Sequence, residues 1–197
     1  MFLQTIKEED ATGKIAEIYA KEKSAAGFVP ESARCFTTRP DLLPIFDAFF
    51  DGVRSGFSLG AREWMLITFI AAKHIPSTYC SHVYGQRLLS ELGSKNTVLA
   101  IQRDFRHADL SVKDVEMLAY AEKVTNSAYR VSDADIERLR AVGFTDQQIC
   151  DIALCASFRC FLSRFVDAVG AIPEPAFMDS DAEFRTAMTV GRAIPRR

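Results

Sequence analysis

Apolar residues along this chain recur at helical spacing, and no segment alternates as a half-buried strand would. Ile15, Ile18 and Tyr19 share one face of a first helix, bounded by Gly27 and Pro30. A short segment, ESARCFTTR, stops near Pro40. A third helix is expected from Pro40 or Asp41 and carries Leu42, Leu43, Ile45, Phe46, Phe49 and Phe50. Proline suits that position, because the N–H it lacks is one the first turn leaves unpaired. After the break GFSLG, the segment AREWMLITFIAAKH is apolar over nearly its whole length beyond Glu63, which marks it as the central buried helix. Pro76 ends it. A fifth helix runs from about Thr78 to Leu92, with Gly93 as its stop.

The second half is punctuated by caps. SVKD at Ser111, SDAD at Ser132 and TDQQ at Thr145 each place a hydroxyl three residues before Asp or Gln, the spacing of a capping box. Gly143 closes the short helix before Thr145, and the long segment QQICDIALCASFRCFLSRFVDAVG stops at Gly170. DFRHAD reads as a polar linker, and AIPEPAF with a short charged tail follows the last helix. The expectation is an all-α orthogonal helical bundle forming one domain over 1–197, with N-terminal helices in 9–93 and C-terminal helices in 111–170.

Composition narrows the function. The net charge is -2, with no basic patch, so nucleic acid is not an expected partner. No apolar run reaches the roughly 18 residues of a membrane span. The start, MFLQTIKEEDATGK, lacks the apolar stretch of a signal peptide, which points to the cytoplasm. The five cysteines fit neither a disulfide scaffold nor a four-ligand zinc site, so reduced thiols are expected, with no cofactor and no metal. Fifteen phenylalanines in so short a chain suggest self-association as a homodimer or hexamer.

The chemistry gathers in KHIPSTYCSHVYGQRLL, residues 73–89. His82 is suited to proton relay near neutral pH; the alternative is a buried histidine satisfied by a local partner. Thr78 lies four residues before it, on the same face. Cys80 is two residues from His82 and points elsewhere, while Tyr84, four residues on, can cover it. Cys80 is either a small buried hydrophobe or, at the start of the helix, a thiolate favoured by free N–H groups. Glu63, in the first turn of the apolar helix, is either a dipole-favoured N-terminal acid or a proton-transfer partner reaching across to His82. Arg164, within an apolar run, either snorkels to the surface, pairs with a buried acid or receives an anion; it and, less readily, Arg62 are candidates for a forked contact with a substrate carboxylate. His74 reads as a helix C-terminal charge and His107 as exposed. Cys150, Cys155 and Cys160, in steps of five, share no helix face and read with Cys35 as single buried residues.

The run REWMLITFIAAKHIPSTYCSH resembles the heart of the carboxymuconolactone decarboxylase and alkyl-hydroperoxidase-D-like superfamily. There, a helix opens with Arg-Glu, a turn carries Cys-x-x-Cys, and a histidine stands four residues after the second cysteine. GFVPE and TRPDLL resemble the family's entry segments. LRAVGFTDQQ and the long helix after it resemble the peroxidase-related branch, with Arg164 at the arginine position and Ser163 in place of an asparagine. Aligned without gaps, Glu63 and His82 fall on the family glutamate and histidine, and Ile75 and Thr78 on its cysteines. Shifted by two, Ser77 and Cys80 take the cysteine positions and Tyr84 the histidine position. Both registers lack Cys-x-x-Cys.

The resemblance implies an alkyl-hydroperoxidase-D-like bundle and leaves three readings open. One is a thiol-dependent peroxidase or oxidoreductase working through Cys80, which needs an outside thiol as reductant. Another is a decarboxylase-like lyase acting on a small lactone or carboxylic acid through His82 and Glu63. The third is a non-catalytic helical scaffold or binding protein.

Overall fold

The computed structural model describes residues 1–178 and 181–195. Among these residues every regular element is helical. They are α1 (Gly13–Ala26), α2 (Glu31–Arg34), α3 (Leu43–Ser55), α4 (Ala61–His74), α5 (Thr78–Leu92), α6 (Lys95–Asp104), α7 (Val112–Ser127), α8 (Asp133–Ala141), α9 (Asp146–Ala168) and α10 (Ala182–Met188), with short 3₁₀ turns between some of them.

Helix α4 is the axis. Trp64 and the run Leu66–Ala72 are buried, and α5, α7 and α9 pack around them. A helix apolar on every side has no face to give to water, so it must be enclosed. The three capping boxes at Ser111, Ser132 and Thr145 all form. Gly27, Gly93, Gly143 and Gly170 take positive φ where the chain leaves a helix.

Three expectations need correction. Helix α3 begins at Leu43 and not at Pro40 or Asp41. The proline in its first turn is Pro44, while Asp41 is held in the preceding turn by Arg39. Between Gly93 and DFRHAD, where no helix was expected, Ser94 accepts from Thr97 N and opens α6, which buries Val98, Leu99 and Ile101. The tail is not merely charged. Asp181 caps α10, whose Phe184 and Met188 are fully buried. Burial of a phenylalanine side chain contributes about 2 kcal/mol or more, enough to hold so short a helix on α5 and α6.

Candidate functional site

A cleft of about 300 Å³ opens between α1, α3, α5 and α9. Its walls are ring-rich: Phe46 and Phe50 from α3, Trp64 from α4, and Tyr79 and Tyr84 from α5. Cys80 and Arg159 also line it.

Cys80 owes its position to the turn before α5. Pro76 ends α4, and Ser77 caps α5 by accepting from Cys80 N at 3.4 Å. Cys80 therefore sits in the first turn, where free N–H groups and the helix dipole favour negative charge. It is 1% exposed. Arg159, on α9, donates from Nη2 to Cys80 Sγ at 3.3 Å and is itself 3% exposed. Among the described residues no carboxylate pairs with this arginine. Its guanidinium carbon lies 4.9 Å from the centre of the Tyr84 ring, and its Nε has no hydrogen-bond partner. Burial pushes the Tyr84 phenol up, but the Arg159 and Arg87 guanidiniums outweigh it and hold the phenol below its ordinary range. The outcome is a thiol, a phenol and a buried guanidinium gathered at one wall of the cleft.

Charged groups rim the mouth. Lys21 on α1 reaches Asp47 and Asp51 on α3, at 2.7 Å each. Arg54 lies over the Trp64 ring at 4.9 Å and Arg87 over the Tyr84 ring at 5.2 Å. A second, polar groove of about 350 Å³ lies between α7 and α8. Its Glu122, Lys123, Asp135 and Arg138 already pair with neighbours, and none of its residues is a nucleophile of the cysteine kind.

Of the residues singled out from sequence, the structure brings Cys80 and Tyr84 together and places the others elsewhere. His82 points away from the cleft toward the C-terminal segment. It is fully buried, with Nε2 3.1 Å from Thr189 Oγ1. Burial pushes its pKa down to about 4, against an opposing contribution from the Phe177 backbone. Thr78 accepts from Gly191 N at 3.0 Å and holds the same segment. Glu63 does not meet His82; its carboxylate lies 3.2 Å from Arg62. Arg62 forms a fork on Asp114 at 2.8 and 2.9 Å, which ties α4 to α7 and leaves no hand for a substrate. Arg164 is exposed and donates to Cys160 O at 3.3 Å, outside the cleft. The arginine of the site is Arg159, one turn and a half earlier on α9, and the sequence reading passed over it. The signal was there: Arg159 stands inside the apolar run ALCASFRCFL, where a cation must find compensation or lie at a site.

The other thiols divide as expected only in part. Cys35 and Cys155 are buried, but Cys150 is exposed and Cys160 is partly so. Burial pushes both Cys35 and Cys155 up to about 12, and neither lines the cleft. His74 lies 2.8 Å from Glu122 at the end of α4, and His107 is exposed beside Asp104. Among the described residues no cluster of His, Cys, Asp and Glu is arranged to hold a metal ion, and no helix is long and apolar enough to cross a membrane.

Neither a protein-family model nor a curated protein matches the sequence. Solved structures do match the fold. A peroxidase-related protein from Ralstonia eutropha, described as an alkylhydroperoxidase AhpD core, superposes with a TM-score of 0.80 at 24% identity, over 97% of each chain. A peroxidase-related protein from Silicibacter gives 0.76 at 22% identity, over 93% of this chain and 95% of that one. The debrominase Bmp8, as a cysteine-to-alanine variant in complex with 2,3,4-tribromopyrrole, gives 0.76 at 18% identity, over 90% and 94%. The chain has the all-helical fold of the alkylhydroperoxidase AhpD core, carried by a sequence without a Cys-x-x-Cys pair.

Proposed function

We propose that the protein is a single-thiol oxidoreductase in which Cys80, with Arg159 as its counter-ion, reduces a small aromatic electrophile. The observation that carries this reading is the 3.3 Å approach of Arg159 Nη2 to Cys80 Sγ at the base of an aromatic cleft. A buried arginine without a carboxylate costs free energy unless charge develops beside it, and a thiolate supplies that charge.

The chemistry balances with an outside thiol. Cys80 thiolate attacks an electrophilic atom: with a peroxide, the S–O bond forms as O–O breaks, giving sulfenic acid and an alcoholate that takes a proton from Tyr84 or water. With an aryl halide, halogen passes to sulfur and the ring carbon takes the proton. An external thiol then forms a disulfide with Cys80 as water or halide leaves, and a second releases Cys80. No other cysteine of the chain lines the cleft, so an external reductant is required. The ring-lined walls favour a compact aromatic substrate over an extended alkyl one. The likeness to a debrominase bound to tribromopyrrole supports testing the halogenated class beside peroxides.

Self-association as a homodimer accompanies this reading, through the exposed Ile45 and Phe49 on α3 and Phe161 on α9. The test of function is consumption of cumene hydroperoxide, and bromide release from tribromopyrrole, with excess dithiothreitol. Turnover of at least one substrate that falls by about a hundredfold in Cys80→Ser is the expected result. Equal rates in the two proteins would remove Cys80 from the mechanism.

A further inference from the structure

We propose that the substrate of this cleft is a planar aromatic anion, its ring held against the aromatic wall of Phe46, Phe50 and Tyr84 and its negative group bound by the unpaired N–H of Arg159; this rests on the cleft being the working site. One buried donor at the cleft lacks a partner. Arg159 Nε makes no hydrogen bond although its Nη2 is used on Cys80. Trp64 Nε1 is already turned to the Tyr84 phenol. Buried donors are paired in nearly all folded proteins, so an orphan N–H on a side chain that lines the recess marks where an acceptor belongs.

Charge points the same way. Arg54 and Arg87 also line the cleft, laid over the Trp64 and Tyr84 rings, with Glu22 within electrostatic reach of Arg87. The nearby Asp47 and Asp51 are occupied by Lys21 at the mouth. Along the cleft the four cations Lys21, Arg54, Arg87 and Arg159 outnumber the three carboxylates Glu22, Asp47 and Asp51, and of the four cations Arg159 is the buried one. An acceptor anchored on Arg159 Nε also lies beside Cys80 Sγ, because the same guanidinium holds both. That shared anchor sets the reacting ring against the sulfur.

The chain's single tryptophan reports on the site. Full-length protein is titrated with benzoate, benzamide and cyclohexanecarboxylate while Trp64 fluorescence is followed. Benzoate is expected to saturate the signal and to bind at least tenfold more tightly than either of the others, the amide lacking the charge and the cyclohexane the flat ring. The same order is expected in Cys80→Ala, so the result does not depend on a reactive thiol. Arg159→Gln is expected to bring benzoate and benzamide within about threefold. Benzamide binding as tightly as benzoate, or no saturable change with benzoate in the millimolar range, would overturn the anion site. If the order holds while Cys80→Ser keeps full turnover, the anion site stands and the thiol mechanism falls.

Discussion

Arg159 and Cys80, seventy-nine residues apart in sequence, meet in the interior with Nη2 3.3 Å from Sγ and, among the described residues, no carboxylate to share the cation. That contact joins α9 to the first turn of α5 and fixes what the cleft can do. Replacing Arg159 by Leu removes the counter-ion and leaves the fold's apolar contacts largely in place. The expected outcome is alkylation of Cys80 slowed by at least tenfold at neutral pH, read by peptide mass spectrometry, with a thermal midpoint unchanged or raised. A buried cation without a partner does not stabilise the folded state, so its loss is tolerated. Unaltered Cys80 alkylation would separate the two residues functionally.

Tyr84 stands four residues after Cys80 with its phenol held below the ordinary range by Arg159 and Arg87. Such a group is placed to give a proton to the leaving oxygen or ring carbon. Tyr84→Phe is expected to lower kcat by about ten- to a hundredfold with little change in KM. A KM effect alone would make it a binding residue.

His82 is buried neutral with a pKa of about 4, while an unfolded histidine titrates near 6.5. Below 6.5 the unfolded chain takes up a proton that the folded one refuses, so stability falls as pH drops and levels off below about 4. The full effect is roughly 3 kcal/mol. It should appear as a difference in urea midpoints between native protein and His82→Gln, shrinking as pH falls from 7 to 4. Parallel pH profiles for the two proteins would show that His82 does not carry this linkage.

Asp114 accepts both arms of Arg62 and completes the capping box with Ser111. Asp114→Ala removes the fork on Arg62, leaving it the Glu63 contact alone, and takes away the side-chain half of the Ser111 capping box, at a cost of about 1–3 kcal/mol. Turnover per folded molecule should stay within about threefold of native, since neither residue lines the cleft. A loss of a hundredfold with the fold intact would return Arg62 to the list of substrate ligands. Phe184→Ala tests the other unforeseen element: removal of that fully buried ring is expected to cost about 3–5 kcal/mol.

The elements that could be read from the sequence are those whose signals are local. Three capping boxes, the uniformly apolar α4 and the glycine stops each depend on residues within one or two turns, and all appear where expected. Cys80 and Tyr84 were paired by helical spacing alone. Arg159 has no such local signal, because its partners Cys80 and Tyr84 come from α5, some eighty residues away in sequence. Glu63 and His82 were joined by their place in a family motif, yet Glu63 is drawn to Arg62, while His82 turns under the C-terminal segment to Thr189. Helices α6 and α10 are short, with few apolar residues to set a helical period, and they pack on α5 and on each other.

The most direct test of the thiol mechanism is to treat the protein with one equivalent of cumene hydroperoxide, trap sulfenic acid with dimedone, and locate the tag by peptide mapping. The tag is expected on Cys80, absent from buried Cys35 and Cys155, and reduced by at least tenfold in Arg159→Leu. A tag confined to exposed Cys150, with Cys80 untouched in the folded protein, would contradict the assignment of Cys80 as the reactive thiol.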